Sequence, residues 1–153
     1  MKENIEILPK IGITDLMFGY DRDKVKSIMG DPDEVESMDE DADLKAEIWY
    51  YYEHGISIFF DSVRNYLCSY FEIDNVNATL FGEPVFDMTM DEVWDLMEAN
   101  GYVDFEEEDE TWGEYRISAI DAGVDFYFDD EELSVLGIGA PMDENGTVIW
   151  PKK

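Results

Sequence analysis

A hairpin-like pattern that occurs twice constrains the fold of this chain more than any other feature. Residues 48–61 are typical of two β-strands joined by a tight turn at Gly55, because apolar side chains alternate on both sides of that glycine. Residues 117–129 repeat the pattern around Gly123, which lies 68 residues after Gly55, and the closing aspartate recurs at the same offset. Two such hairpins at one fixed offset predict that one structural unit occurs twice in the fold.

A short amphipathic helix is predicted before each hairpin. The first spans Arg22–Met29, with the carboxylate of Asp21 as its N-cap. The second follows a capping box formed by Thr89 and Glu92 and extends to Asn100. The apolar face of the first helix recurs 68 residues later in the second. This face consists of Val25, Ile28 and Met29 in the first helix and of Val93, Leu96 and Met97 in the second.

The segments around the hairpins follow the same order in both halves. A third strand is predicted after each hairpin, at residues 66–73 and 133–138. Residues 33–45, before the first hairpin, are acidic and lack apolar periodicity, so we predict a loop there. A similar acidic loop is expected before the second hairpin. Each half therefore contains one helix and about three strands.

These elements predict an α+β fold in a single domain of residues 1–153. The domain consists of two tandem repeats, at about residues 13–74 and 81–140, followed by a C-terminal strand or arm at residues 141–153. One repeat has too few strands to bury its helix alone. Joining the antiparallel strands of both halves in one sheet, with both helices packed on one face, would create a continuous core.

The opposite face of this sheet is expected to stay open and to carry the binding residues. Alternation in the hairpin strands sends one set of side chains to the helices and the other to the open side. The helix-facing set is Ile56, Ile58 and Phe60 with Val124, Phe126 and Phe128. The candidate binding residues are Tyr50, Tyr52, Phe59, Asp125 and Tyr127, with Ser118 beside them. Exposed aromatic residues are enriched at recognition surfaces, whereas a sheet covered on both faces would make these rings ordinary packing.

The charge of the chain restricts its partners. Ten lysines and arginines stand against 39 aspartates and glutamates, which gives a formal net charge of −29. The resulting negative potential disfavours nucleic acids and anionic membranes and attracts basic proteins. We therefore predict a basic partner protein, no nucleic acid and no membrane, although the charge can also serve solubility alone. The oligomeric state stays open.

No sequence pattern predicts catalysis, a metal site or a cofactor. His54 is the only histidine and Cys68 the only cysteine, too few for a structural zinc site. The aspartates from Asp39 to Asp43 resemble the start of an EF-hand loop, but Leu44 stands where that loop needs glycine. The N-terminus lacks a signal-peptide pattern, and no run reaches the roughly 18 apolar residues of a membrane span. A cytoplasmic location is therefore expected.

The order of helix, Gly-Asp-Pro, acidic stretch and hairpin resembles the beta-lactamase-inhibitor-protein-like tandem-repeat family and its relatives among outer-membrane assembly lipoproteins. The resemblance rests on residues 18–25 and 28–32, while in the second half Gly101 and Tyr102 replace Gly-Asp-Pro. It implies a helix-backed concave sheet that binds another protein without catalysis. The size and acidity of the chain also resemble those of immunity proteins, whose targets are often basic nucleases.

The predicted function is thus a non-enzymatic protein-binding or inhibitor protein of the immunity-like kind. Tyr50, Tyr52, Phe59 and Tyr127 would be its anchors, and Asp125 would steer association. The alternative is a small-ligand-binding protein or a carboxylate-dependent hydrolase, whose convergent acids would lie between the two repeats. A third hypothesis is a structural domain whose charge only ensures solubility.

Overall fold

The computed structural model describes residues 4–39, 45–110 and 113–151. The structure is α+β, as predicted. The two α-helices of this part are α1 (Arg22–Met29) and α2 (Met90–Ala99). The strands are β1 (Glu6–Leu8), β2 (Gly12–Ile13), β3 (Leu16–Met17), β4 (Glu34–Asp39), β5 (Lys45–Tyr51), β6 (Ile56–Asp61), β7 (Cys68–Ile73), β8 (Thr79–Leu80), β9 (Phe105–Asp109), β10 (Tyr115–Ala119), β11 (Val124–Asp129) and β12 (Glu132–Gly139). Most of the EF-hand-like start, Asp41 to Leu44, lies outside the described residues.

Eight of the strands form one antiparallel sheet in the order β4-β5-β6-β7-β12-β11-β10-β9. Each half of the chain contributes four neighbouring strands, and the halves meet where β7 pairs with β12, with Phe71 opposite Ile138. The remaining four strands form a small second sheet in the order β3-β2-β1-β8, which the sequence does not predict. The pairing of β1 with β8 is parallel and joins residues that lie more than 70 positions apart, as Glu6 and Thr79 do.

The loop predictions before the hairpins are wrong, because each acidic stretch contains a strand. Within residues 33–45, β4 pairs with β5 through Val35 opposite Trp49, and β9 pairs in the same way with β10. Both are edge strands, where outward carboxylates stay solvated and guard the free edge against further pairing. Such a strand needs no apolar alternation, so each half has four strands in the large sheet rather than about three.

The predicted helices are confirmed, together with their N-terminal caps. A carboxylate oxygen of Asp21 accepts a hydrogen bond from the amide of Lys24, 2.8 Å away. In the capping box of α2, the hydroxyl of Thr89 accepts from the amide of Glu92 at 3.2 Å, and the Glu92 carboxylate accepts from the amide of Thr89 at 3.1 Å. Neither helix is long and apolar enough to cross a membrane, as far as the described residues go.

One core lies between the helices, the small sheet and one face of the large sheet. The predicted alternation is confirmed, since all six residues of the helix-facing set are buried. Phe18 stacks on Phe71 of this face at 5.2 Å between ring centroids, and the buried side chains of Val25 and Val93 bring α1 and α2 into the same core.

The C-terminal segment is an arm rather than a strand. Residues 141–151 form a single isolated bridge, between Met142 and Val148, although Asn145-Gly146 is a typical two-residue turn sequence. Trp150 packs against the protein, and its ring lies 3.1 Å from where a Cβ of Gly19 would be.

Candidate functional site

The side chains that alternate with the core residues form the second face of the large sheet, which we call the open face. Four of the predicted binding residues lie there half-buried, and the fifth, Tyr52, is 61% exposed just beyond the end of β5. Ser118 is buried beneath its neighbours on the same face. The five predicted residues fall into three adjoining groups of the open face. The first half carries Tyr50 and Tyr52, the centre carries Phe59 and Asp125, and the second half carries Tyr127.

On the first half, two tyrosines form a stacked pair. The rings of Tyr50 and Tyr52 lie 5.8 Å apart at an angle of 14°. The hydroxyl of Tyr50 donates to Glu36 at 2.7 Å, and that of Tyr52 donates to Glu34 at 2.5 Å. The bond to Glu36, helped by burial, raises the pKa of Tyr50 to about 12, and the bond to Glu34 raises the pKa of Tyr52. Both hydroxyls therefore stay protonated donors that hold the rings in place.

At the centre, Tyr70 links the two halves of the sheet. Its ring contacts that of Phe59 edge-on at 5.4 Å and crosses the backbone of Gly137 in the neighbouring strand. Its hydroxyl donates to Asp125 at 3.1 Å. Burial, followed by the charge of Asp125, raises the pKa of Tyr70. Tyr70 is not among the predicted binding residues, although the glycines of β12 signal that a neighbouring ring can lie across that strand.

On the second half, Arg116 is the centre of a polar network. It donates through Nε to Glu110 at 3.0 Å, through Nη2 to Glu108 at 2.7 Å, and through Nη1 to Ser118. The Ser118 hydroxyl in turn donates to Asp125 at 2.5 Å. Asp125 is therefore engaged by two hydroxyls within the protein. The signal for Arg116 was its position as the first basic residue after Arg64 in a very acidic stretch.

Tyr127 lies on the same part of the open face. Burial raises the pKa of its hydroxyl, the charge of Asp125 adds to this, and the charge of Arg116 opposes it. Phe59 and Tyr127 lie on opposite sides of the central strands, on β6 and β11. The open face thus carries aromatic rings on both halves.

Some carboxylates of the open face, among them Glu34, Glu36 and Glu72, have no ion pair with a lysine or arginine of the described chain. Within the described part of the chain, Glu34 accepts the hydroxyl of Tyr52 and Glu36 that of Tyr50, and Glu72 lies half-buried between Ser57 and Gly137. The described ion pairs involve other residues. Burial, followed by the charges of Asp74 and Glu114, raises the pKa of Glu72.

The raised pKa of Glu72 predicts that Glu72→Gln stabilises the protein at pH 7. A carboxyl whose pKa is higher in the folded state than in the unfolded state holds its proton more tightly when folded. Glu72 therefore destabilises the folded protein increasingly as the pH rises from 4.5, the ordinary pKa of a glutamate, through its pKa in the folded state. Urea unfolding at several pH values should show a more stable variant at pH 7 and a difference that disappears below about pH 4. A variant equally destabilised at both ends of this range would contradict the assignment.

A cavity lies away from the open face, beside the small sheet. It has a volume of about 1100 Å³ and is open to solvent. Its described lining contains one carboxylate, that of Asp121, so it lacks the pair of convergent acids that the hydrolase hypothesis requires. The lining comprises Lys10, Ile11, Met17, Gly101, Tyr102, Ile120, Asp121, Gly123, Ala140, Pro141, Met142, Ile149, Trp150 and Pro151.

The resemblance carried by residues 18–25 and 28–32 stays a prediction about the fold family. Comparisons of the chain with protein-family models, with curated proteins and with solved structures gave no match.

Proposed function

We propose that this chain is a non-enzymatic protein-binding protein, of the inhibitor or immunity-like kind, that binds a basic partner protein on the open face. The observation that carries the proposal is the combination of half-exposed rings with carboxylates on a sheet face. Aromatic anchors surrounded by charge are the composition of protein-binding surfaces.

Charge supports the choice of a basic partner. The chain has a net charge of −29, and Glu34, Glu36 and Glu72 of the open face lack an ion pair among the described residues. A basic surface would be drawn to this face before contact and would neutralise these groups on docking. Asp125 contributes to this field, while its bonds to Tyr70 and Ser118 also fix the shape of the central surface.

We propose in addition that the two halves are tandem repeats. Each half has a helix followed by four antiparallel strands, and the strand order of the large sheet is symmetric about the β7–β12 pair. The offset of 68 residues that relates the two hairpin glycines in the sequence also supports a duplication. A duplication followed by divergence would explain why only the first half carries the tyrosine pair.

A second candidate function is the binding of a small apolar ligand in the cavity beside the small sheet. It is favoured by the volume of about 1100 Å³ and by four exposed apolar side chains among the lining residues. These four are Ile11, Ile120, Met142 and Ile149.

Capture of the partner tests the main proposal. The immobilised protein is incubated with a lysate of its native host at about 50 mM salt, and bound proteins are identified by mass spectrometry. We expect a basic protein that is released at about 500 mM salt, because screening weakens the attraction. The double variant Phe59→Ala/Tyr127→Ala should capture at least about tenfold less, because it removes two anchors.

A variant on the helix side is the matched control. Asp95→Asn/Glu98→Gln changes two exposed residues of α2 and should capture as much as the unmodified protein. Circular dichroism verifies that both double variants fold. Equal capture of the same basic protein by both variants would contradict a role for the open face.

A further inference from the structure

The two outer parts of the open face differ in whether they contain their own cation. On β10, Arg116 lies opposite Glu108 of the edge strand β9 and is held by the carboxylates of Glu108 and Glu110. On β5, Ile48 occupies the matching place, opposite Glu36 of the edge strand β4. The first half therefore has acidic groups at its edge without an arginine between them.

The groups around Ile48 retain free binding capacity. Glu34 and Glu36 each accept one tyrosine hydroxyl, and a carboxylate can accept several further hydrogen bonds. The rings of Tyr50 and Tyr52 contact each other but no cation of the described chain, whose ring contacts with lysine and arginine lie elsewhere. An exposed ring flanked by carboxylates attracts a cation through both its π-face and its acidic neighbours.

We infer that Tyr50, Tyr52, Glu34 and Glu36 form an acceptor site for an arginine side chain of the partner protein. The inference rests on the proposed function and specifies the chemical group that the first half of the open face binds. Arginine fits better than lysine because its planar guanidinium stacks on a ring while its N–H groups reach more than one carboxylate. Arg116 uses this capacity within the protein, since two of its nitrogens bind Glu108 and Glu110.

Two model peptides test the acceptor site independently of the natural partner. They have equal length and blocked ends and alternate glycine with either arginine or lysine, so that their charge is identical. Their dissociation constants are measured by calorimetry at about 150 mM salt, where long-range attraction is screened. We expect the arginine peptide to bind about three- to fivefold more tightly than the lysine peptide.

Variants test which residues cause the preference for the arginine peptide. Tyr52→Leu and Glu34→Gln/Glu36→Gln should each reduce it to less than about twofold. Tyr52→Phe, which keeps the ring, should retain it, and so should Asp95→Asn/Glu98→Gln, which removes the same charge from α2. Tyr52, Glu34 and Glu36 are exposed, so we expect each variant to fold. A circular dichroism spectrum that matches that of the unmodified protein verifies this.

Two outcomes would overturn the acceptor site. One is equal affinity of the unmodified protein for the two peptides, and the other is a preference for arginine that persists in Tyr52→Leu and in Glu34→Gln/Glu36→Gln. Neither outcome touches the proposed function, which depends on capture of a basic protein and on its loss in Phe59→Ala/Tyr127→Ala.

Discussion

Gly137→Ala is expected to lower the free energy of unfolding by about 3 kcal/mol. A Cβ at this position would lie 1.8 Å from the hydroxyl oxygen and 2.6 Å from the Cζ atom of Tyr70. The ring would have to leave the strand, which breaks its hydrogen bond to Asp125 and its edge contact with Phe59. Urea denaturation measures this loss, which exceeds the gain that alanine normally brings to a strand.

Gly139→Ala is the matched control for this prediction. Its Cβ would lie 3.2 Å from an edge carbon of the same ring, so a small shift accommodates it, and we expect a loss below about 1 kcal/mol. In a Tyr70→Leu background the cost of Gly137→Ala should largely disappear, because the obstructing ring atoms are gone. Equal costs in both backgrounds would show that Tyr70 does not cross the strand at Gly137.

Arg116→Met should lower the free energy of unfolding by about 2 kcal/mol. The arginine side chain is 16% exposed and that of its partner Glu110 is 14% exposed, so the variant leaves a largely buried carboxylate without its cation. Glu106 and Glu108 are mostly exposed and are screened by water, so they add little. Thermal or urea unfolding measures the difference.

Arg22→Met is the control for a more exposed ion pair, in which the guanidinium also lies 4.1 Å from the ring centroid of Tyr66. Arg22 binds Glu47 at 2.9 Å with 40% of its side chain exposed, and its loss should cost below about 1 kcal/mol. Combining Arg116→Met with Glu110→Gln should recover part of the stability, because the unpaired charge is then removed. If both arginine variants cost the same and the double variant recovers nothing, the buried Glu110 pair is not the cause.

The elements with local signals could be predicted from the sequence. The turn at Gly55 and the alternation of Ile56, Ile58 and Phe60 indicate a hairpin with one buried face, and the structure has both. The helix beginning after Asp21 is confirmed with its predicted ends, because a capping carboxylate and a terminating glycine act within one or two turns. Such signals depend on neighbours in the chain, which a sequence displays directly.

The elements that depend on distant partners could not be predicted. Edge strands β4 and β9 are stabilised by pairing on one side and show no apolar period, so their acidic residues resemble a loop. The hydrogen bond from Tyr70 to Asp125 exists only because β7 pairs with β12 in one register. No local pattern determines that register, so Tyr70 was missed.

The five candidate residues were selected by the same alternation, which explains what they do and do not share. Alternation places Tyr50, Phe59 and Tyr127 on the open face correctly, since each neighbours a core residue in its strand. It carries no information about hydrogen bonding, and so it did not show that Asp125 is held by Tyr70. Whether a carboxylate is unpaired or hydrogen-bonded can be decided only when its neighbours on the adjacent strands are known.

Radical footprinting of the complex with the captured basic protein tests the central claim most directly. Hydroxyl radicals oxidise aromatic and sulfur-containing side chains according to their exposure, and mass spectrometry locates the products. If the open face is the binding surface, oxidation of Tyr52 and Tyr127 falls in the complex, while oxidation of Met29 and Trp94 on the helices is unchanged. Unchanged oxidation of both tyrosines, with protection of Met29 and Trp94, would contradict it.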